Sequence, residues 1–193
     1  MVYRICKIDD VSELEISQVL IHLSREQRKY IDNKPYAKRR QSLTARVLLY
    51  KLLQEYYPGV EFSRLVSNES GRPIISNNES IYLSLTHSGD MVGCAISEKP
   101  VGIDIEKKRE VPIKTINRVC TFSEQKYLEK NPMRFFKLWT AKEALYKASS
   151  ERFSDIIKIS FSDGEDFIYD KSNITLFFEE NHEYFWTVIE LIK

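Results

Sequence analysis

Apolar and polar residues alternate along residues 101–106, a pattern typical of a β-strand. Side chains two positions apart on a strand share one face, so we expect Asp104 and Glu106 to point the same way. Gly102 is expected to lie beside them and to leave open space, while the β-branched residues between them face the core. Two carboxylates side by side repel each other unless a cation or a proton lies between them.

A helical period follows at residues 132–149. Glu143 and Lys147 are four residues apart and therefore lie on one face of the predicted helix. Its aromatic and aliphatic residues are spaced to anchor the helix in the core: Phe135, Phe136, Leu138, Trp139 and Leu145. A third carboxylate and a lysine beside a carboxylate pair suit a hard divalent cation that holds a phosphate.

The remaining pattern predicts an α+β fold. We expect further strands near residues 2–8, 81–86, 91–97, 156–162, 174–179 and 184–191. We expect further helices at residues 35–56, 112–120 and 123–130, and one that begins near Ser24. The hydroxyl of Ser24 can cap that helix, with Gln27 three residues on.

The chain resembles itself in two places. Thr44–Lys51 aligns with Thr140–Lys147, and Ser24–Tyr30 is similar to Ser123–Tyr127 upstream. We therefore expect a pseudo-twofold pair of similar α+β halves, residues 1–99 and 100–193, that form one compact pseudo-dimeric unit. The first copy has Val47 where the second has Glu143, so only one composite site is expected.

Composition places the chain of 193 residues among ordinary soluble globular proteins, with 42% hydrophobic and 30% charged residues. A net charge of +1 argues against a generic nucleic-acid binder. The sequence has no run of roughly 18 apolar residues, so we expect no membrane span. The N-terminal residues do not have the pattern of a signal peptide. The three cysteines are far apart and suggest neither a disulfide framework nor a zinc site, so we expect a reducing cytoplasm.

Positive charge is concentrated between Arg25 and Lys51, where nine Lys or Arg residues face only Glu26 and Asp32. A solvated helix face is one interpretation. A site for a phosphate-rich ligand or for an acidic protein partner is the other.

Together, the strand and the helix resemble the 4′-phosphopantetheinyl transferases. The signatures of that family are G-[IV]-D-[ILV]-E and W-x-x-K-E-[AS]-x-x-K, and residues 102–106 and 139–147 match them at every fixed position. The first pattern alone is weak, but the pair in this order and at this separation is specific. The resemblance also implies two halves, because the longer members of the family are pseudo-dimers.

This resemblance implies Mg²⁺-dependent transfer of the 4′-phosphopantetheine arm from coenzyme A to a serine of an apo acyl or peptidyl carrier protein, with release of adenosine 3′,5′-bisphosphate. Asp104, Glu106 and Glu143 would bind the metal, and Lys147 would pair with the pyrophosphate. Either Glu143 or a metal-bound water could accept the serine proton, and the role of Lys142 stays open. A monomer should suffice, because one chain holds both halves.

Coenzyme A contacts are implied for a second set of residues, which are Arg46, Arg72, Thr86 and His87, with Arg39 and Arg40 as further candidates. His87 would contact the 3′-phosphate, although Ser84 and Thr86 replace the Asn and Ser that usually precede this histidine in the family. A structural histidine is the alternative for His87. A tight surface turn is the alternative for residues 71–73, which resemble the family's Gly-[KR]-Pro near the adenine and ribose.

Two other functions are compatible with parts of this pattern. A non-catalytic coenzyme A-binding or carrier-binding protein could keep the same scaffold, but the three carboxylates and Lys147 are all present. A Mg²⁺-dependent phosphohydrolase could use the same carboxylates on a different fold, but the internal repeat and the His87 loop disfavour it.

Overall fold

The computed structural model describes residues 1–68, 71–130, 132–149, 151–166 and 173–192. The chain divides into two compact units, Met1–Pro100 and Val101–Lys193. Each unit contains a three-stranded antiparallel sheet and one long helix that packs on it. The predicted α+β class is confirmed.

The first unit is built around the central strand of its sheet. Its elements are β1 (Val2–Lys7), α1 (Glu13–Leu20), α2 (Arg25–Asp32), α3 (Tyr36–Tyr56), β2 (Leu65–Ser67), β3 (Pro73–Ile75), β4 (Tyr82–Ser88) and β5 (Met91–Ser97). The sheet has the order β1-β5-β4, and β2 pairs separately with β3. Every residue of β5 is buried, because β5 lies between its two partners and under α3.

Helices α2 and α3 form where the sequence predicts them. Ser24 caps α2, and its hydroxyl accepts a hydrogen bond from the backbone N–H of Gln27 at 3.2 Å. Helix α3 ends at Tyr56, two residues before Pro58, which has no N–H to donate to a further helical turn. Val47, which aligns with Glu143, is buried in the core of this unit.

The second unit has the same strand connectivity as the first. Its elements are β6 (Val101–Lys107), α4 (Ile113–Val119), α5 (Phe122–Lys130), α6 (Phe135–Ala148), α7 (Phe153–Ile156), β7 (Ile174–Glu180) and β8 (Tyr184–Leu191). The sheet order is β6-β8-β7. In both units, the first strand pairs with the last, and the last pairs with the one before it.

The anchors of α6 are confirmed. Phe135, Phe136, Leu138 and Leu145 are buried in the core of the second unit. Trp139 is partly buried, and its ring stacks on Phe135 with 6.0 Å between ring centroids.

The strand predicted at residues 156–162 is wrong. Residues 153–156 form α7, and the chain beyond them turns instead of pairing with a strand. Ile156 and Phe161 are buried, so the apolar residues of this segment fill the core without joining the sheet. The Lys142 ammonium also donates hydrogen bonds to two backbone carbonyls of the segment, at 2.8 and 2.9 Å.

Gly102 does not leave open space. A Cβ atom at this position would lie 1.9 Å from the carbonyl oxygen of Ala144 and 2.8 Å from the backbone nitrogen of Ala148. The missing side chain therefore lets β6 approach the backbone of α6 closely. The alternate residues Val101, Ile103 and Ile105 are buried, as expected.

Two expectations from composition concern the whole chain. No helix in the described ranges is both long enough and apolar enough to cross a membrane. Cys6, Cys94 and Cys120 are all free thiols.

We predict that Gly102→Ala destabilises the protein by roughly 1–3 kcal/mol, because the added methyl group meets helix backbone that cannot move aside cheaply. Gly59→Ala is the matched control, since a Cβ there meets nothing within 4 Å, and its effect should stay within about 0.5 kcal/mol. Urea unfolding of both variants measures the difference. Equal stabilities would contradict the close approach of β6 and α6.

Candidate functional site

The face of β6 that carries Gly102 also carries Asp104 and Glu106, and it packs against α6. Lys147 of α6 bonds to Asp104, with 2.7 Å between Nζ and Oδ1, and it also donates to the carbonyl oxygen of Ile103 at 3.0 Å. Asp104 is buried. The predicted neighbours from the strand and the helix are therefore in contact.

Glu143 shares this site electrostatically. Burial raises the pKa of its carboxyl to about 7, and the negative charges of Asp104 and Glu106 raise the pKa in the same direction, against the opposing effect of Lys147. The carboxyl of Glu143 therefore binds a proton more readily than an exposed glutamate does.

These carboxylates fit a divalent cation by donor type and by charge. Mg²⁺ prefers oxygen ligands and retains several waters, so it does not need a complete cage of protein ligands. In the described parts of the chain, however, no group of three or more His, Cys, Asp or Glu side chains is already arranged to hold a metal. Glu106 instead accepts a hydrogen bond from Arg109 Nη1 at 2.9 Å, so the ligand set would have to reorganise around the ion.

The side chain of Lys142 points in a different direction from that of its neighbour Glu143. It is fully buried, and its ammonium pairs with Glu124 of α5, with 2.8 Å between Nζ and Oε2. Glu124 also accepts hydrogen bonds from the backbone N–H groups of Thr121 at 2.8 Å and Phe161 at 3.0 Å. Lys142 therefore has a structural role, because it links α6 to α5 and to the segment after α7.

Sequence reasoning missed Glu124. The signal was present, because Thr121 and Glu124 have the spacing of a capping box at the start of α5. The Thr121 hydroxyl accepts a hydrogen bond from the Glu124 backbone N–H at 3.4 Å, and the Glu124 carboxylate accepts one from the Thr121 backbone N–H.

In the first unit, Arg46 on α3 occupies the place that Lys142 has on α6. It is 5% exposed, and Nε and Nη2 donate to Gln27 Oε1 at 3.0 and 2.5 Å. Nη1 donates to the hydroxyl and the carbonyl of Ser42 at 2.7 and 3.0 Å. Burial lowers the pKa of the guanidinium to about 10, with Tyr30 opposing the shift, so Arg46 stays charged at neutral pH.

A cavity of about 180 Å³ opens beside Arg46 in the first unit. Its described lining residues are Tyr30, Lys34, Ser42, Ala45, Arg46, Ser67, Gly71, Pro73, Leu85, Thr86 and His87. Lys34 and Arg46 both lie over the ring of Tyr30, at 4.3 and 5.7 Å from its centroid. Because none of these described lining residues is Asp or Glu, the cavity is cationic and suits an anion.

The predicted coenzyme A contacts divide into two groups. Arg46, Thr86 and His87 line this cavity together, and Arg72 lies between the lining residues Gly71 and Pro73 in a turn. Arg40 instead pairs with Glu13 at 2.6 Å, and Arg39 is exposed, with Nε donating to the carbonyl of Lys34 at 2.8 Å. The structure thus does not bring Arg39 and Arg40 to the cavity.

A larger cavity, of about 690 Å³, lies in the second unit. Its described lining residues are Lys108, Tyr127, Met133, Arg134, Lys137, Asp166, Phe178, Glu180 and Phe185. None of the predicted site residues is among them, so size alone does not identify the site.

The two buried cations occupy equivalent positions. Arg46 aligns with Lys142 in the internal repeat, and each is held by the third residue of the preceding short helix, Gln27 or Glu124. The caps then correspond as Ser24 and Thr121, which corrects the predicted alignment of Ser24 with Ser123. The units differ in charge, because only the second has an acid at this position.

Comparison with known proteins agrees with this geometry. The family model for the 4'-phosphopantetheinyl transferase superfamily matches residues 100–191, which carry the carboxylates, Lys147 and the buried pair. The second unit of the chain, nearly half of its length, is therefore similar to this superfamily.

Relatives at modest identity carry the same family name. A 4'-phosphopantetheinyl transferase psf-1 from Bacillus pumilus is 30% identical over 60% of this chain and 52% of its own length. The 4'-phosphopantetheinyl transferase ffp from Bacillus subtilis is 26% identical over 79% of this chain and 71% of its own length. AcpT from Salmonella typhi is 33% identical over 58% of this chain and 60% of its own length. The chain spans about half the length of the first of these relatives.

We predict that Lys142→Met destabilises the protein by about 3–5 kcal/mol, because it leaves the Glu124 carboxylate buried without its counter-charge. Lys158→Met removes an exposed lysine that bonds Asp155 at 3.1 Å, and it should change stability little. Thermal and urea unfolding compare the two variants. A Lys142→Met protein as stable as the Lys158→Met control would contradict the structural role of the pair.

Proposed function

We propose that this chain transfers the 4′-phosphopantetheine group from coenzyme A to a serine of an apo acyl or peptidyl carrier protein. The observation that carries the proposal is the concentration of Asp104, Glu106 and Glu143 beside Lys147, in the unit that matches the transferase superfamily. The reaction is attack by the serine oxygen on the phosphorus that carries the pantetheine, and adenosine 3′,5′-bisphosphate leaves.

Asp104, Glu106 and Glu143 would hold Mg²⁺, which when bound offsets the negative charge that builds on the phosphoryl oxygens and on the leaving phosphate. The pKa of the Glu143 carboxyl, raised first by burial and then by the negative charges of Asp104 and Glu106, supports this role. Lys147 orients Asp104 through its bond to Oδ1. An ammonium has three hydrogens and a second one goes to the carbonyl of Ile103, so one remains for a pyrophosphate oxygen.

The cationic cavity of the first unit would bind the phosphate-rich end of coenzyme A. Arg46 supplies a buried charge, His87 is exposed at the rim, and Thr86 adds a hydroxyl. Hydrogen bonds between charged groups and phosphates are among the stronger polar contacts, roughly 1.5–3 kcal/mol each. The 3′-phosphate is the group that we assign to Arg46 and His87.

The whole protein's setting is part of the same proposal. We propose a monomer that acts in the cytoplasm on carrier proteins, with neither a nucleic acid nor a membrane as a partner. The net charge of +1 supports the absence of generic nucleic-acid binding.

The direct test is incubation of the protein with coenzyme A, Mg²⁺ and a panel of apo carrier domains, followed by intact-mass measurement of each carrier. We expect a carrier to gain the mass of phosphopantetheine. Loss of coenzyme A without a mass gain would indicate a phosphohydrolase, and binding without either change would indicate a non-catalytic protein.

We predict that Asp104→Asn lowers the rate of transfer by about 10²-fold or more, because it removes one charge from the site that stabilises the transferred phosphoryl group. Glu183→Gln is the control, since Glu183 is exposed and pairs only with the surface residue Lys107, at 3.4 Å, among the ion pairs of the described chain. Single-turnover transfer measures both variants. An Asp104→Asn enzyme as active as the control would contradict the metal assignment.

A further inference from the structure

Gln27 is a buried residue that the proposed function does not yet use. It is 3% exposed, it lies in the first turn of α2, and its side-chain oxygen accepts two hydrogen bonds from the Arg46 guanidinium. Among the described residues, its amide nitrogen makes one long contact, with Ser67 Oγ at 3.5 Å. Gln27 is therefore the main side-chain partner of the cation beside the cavity.

The second unit shows what an acid does at the same place. Glu124 forms a fully buried ion pair with Lys142, and the side chains of the pair are 0% and 1% exposed. The negative charge of Glu124 offsets the positive charge of Lys142 within the protein, so this pair presents no net charge to a ligand. Lys142 is also surrounded by the carbonyls of Ile157 and Ile159.

In the first unit, the amide of Gln27 gives Arg46 the same geometric support without a counter-charge. A neutral amide oxygen satisfies N–H donors but cancels no charge. Ser42 contributes a hydroxyl and a carbonyl, which are also neutral. The guanidinium thus remains a net positive group at the wall of the cavity.

From these contacts we propose that Gln27 is a positioning residue that keeps the charge of Arg46 available to an anionic ligand, and that the choice of amide over carboxylate at position 27 makes this cavity a phosphate site. The proposal rests on the proposed function for the identity of the ligand, coenzyme A. It adds that anion binding depends on a residue that does not line the cavity.

The test replaces Gln27 by Glu, which has the same size and offers the same oxygen to Arg46 but adds the missing charge. Gln54→Glu is the matched control, because Gln54 is an exposed glutamine on α3. Calorimetric titration with coenzyme A and Mg²⁺ should show at least a tenfold weaker affinity for Gln27→Glu and no change for Gln54→Glu. In transfer assays, the KM for coenzyme A should rise while kcat changes little.

Two further variants separate charge from packing. Gln27→Met removes the amide and leaves Arg46 charged, so coenzyme A affinity should fall less than in Gln27→Glu even if the protein unfolds more easily. Ser42→Asp places a carboxylate on the other side of the guanidinium, and it should weaken binding as Gln27→Glu does. Because Ser42 lines the cavity, this variant tests the need for net positive charge beside Arg46, whereas Gln27→Glu and Gln27→Met test the role of Gln27 itself.

Unchanged coenzyme A affinity in Gln27→Glu and Ser42→Asp would overturn the inference. Equal losses in Gln27→Met and Gln27→Glu would also overturn it, because Gln27 would then act through packing alone. A wild-type protein that binds no coenzyme A would instead overturn the proposed function, and the two failures are therefore distinguishable.

Discussion

A buried cation on the long helix of each unit, held by the short helix before it, is the interaction on which the rest of this structure depends. Removing a charged group from water is costly, so it is tolerated only where hydrogen bonds and counter-charges replace the lost hydration. Lys142 meets this requirement with Glu124 and two backbone carbonyls. Arg46 meets it with neutral acceptors on Gln27 and Ser42.

The position of the proposed site residues on α6 follows from the Lys142 pair. With Lys142 directed into the contact between α5 and α6, the helix is fixed in rotation about its axis, and Glu143 and Lys147 then lie toward β6. Gly102 sets the distance, because only a residue without Cβ lets β6 come so close to the helix. The carboxylates are thus brought together by packing, against their mutual repulsion.

The sequence predicted much of this arrangement, because the relevant signals are local. Alternation along β6 placed Asp104 and Glu106 on one face, and the four-residue spacing on α6 placed Glu143 beside Lys147. The errors arose where long-range contacts decide. Residues 156–162 have the sequence pattern of a strand, but the Lys142 ammonium donates hydrogen bonds to the carbonyls of Ile157 and Ile159, which a sheet would need. The sequence predicts Arg40 as a candidate phosphate ligand, but Arg40 pairs with Glu13 of α1.

The two units share a topology but not a charge balance, and we expect this difference to determine how many nucleotides one chain binds. One buried cation is neutralised by an acid, and the other remains available beside a cavity whose described lining includes no acid. Each chain should therefore bind one coenzyme A, although the fold repeats. The most direct measurement is calorimetric titration of coenzyme A in the presence of Mg²⁺, with light scattering of the same sample. We predict one nucleotide per chain of a monomer, whereas two nucleotides per chain would contradict the claim.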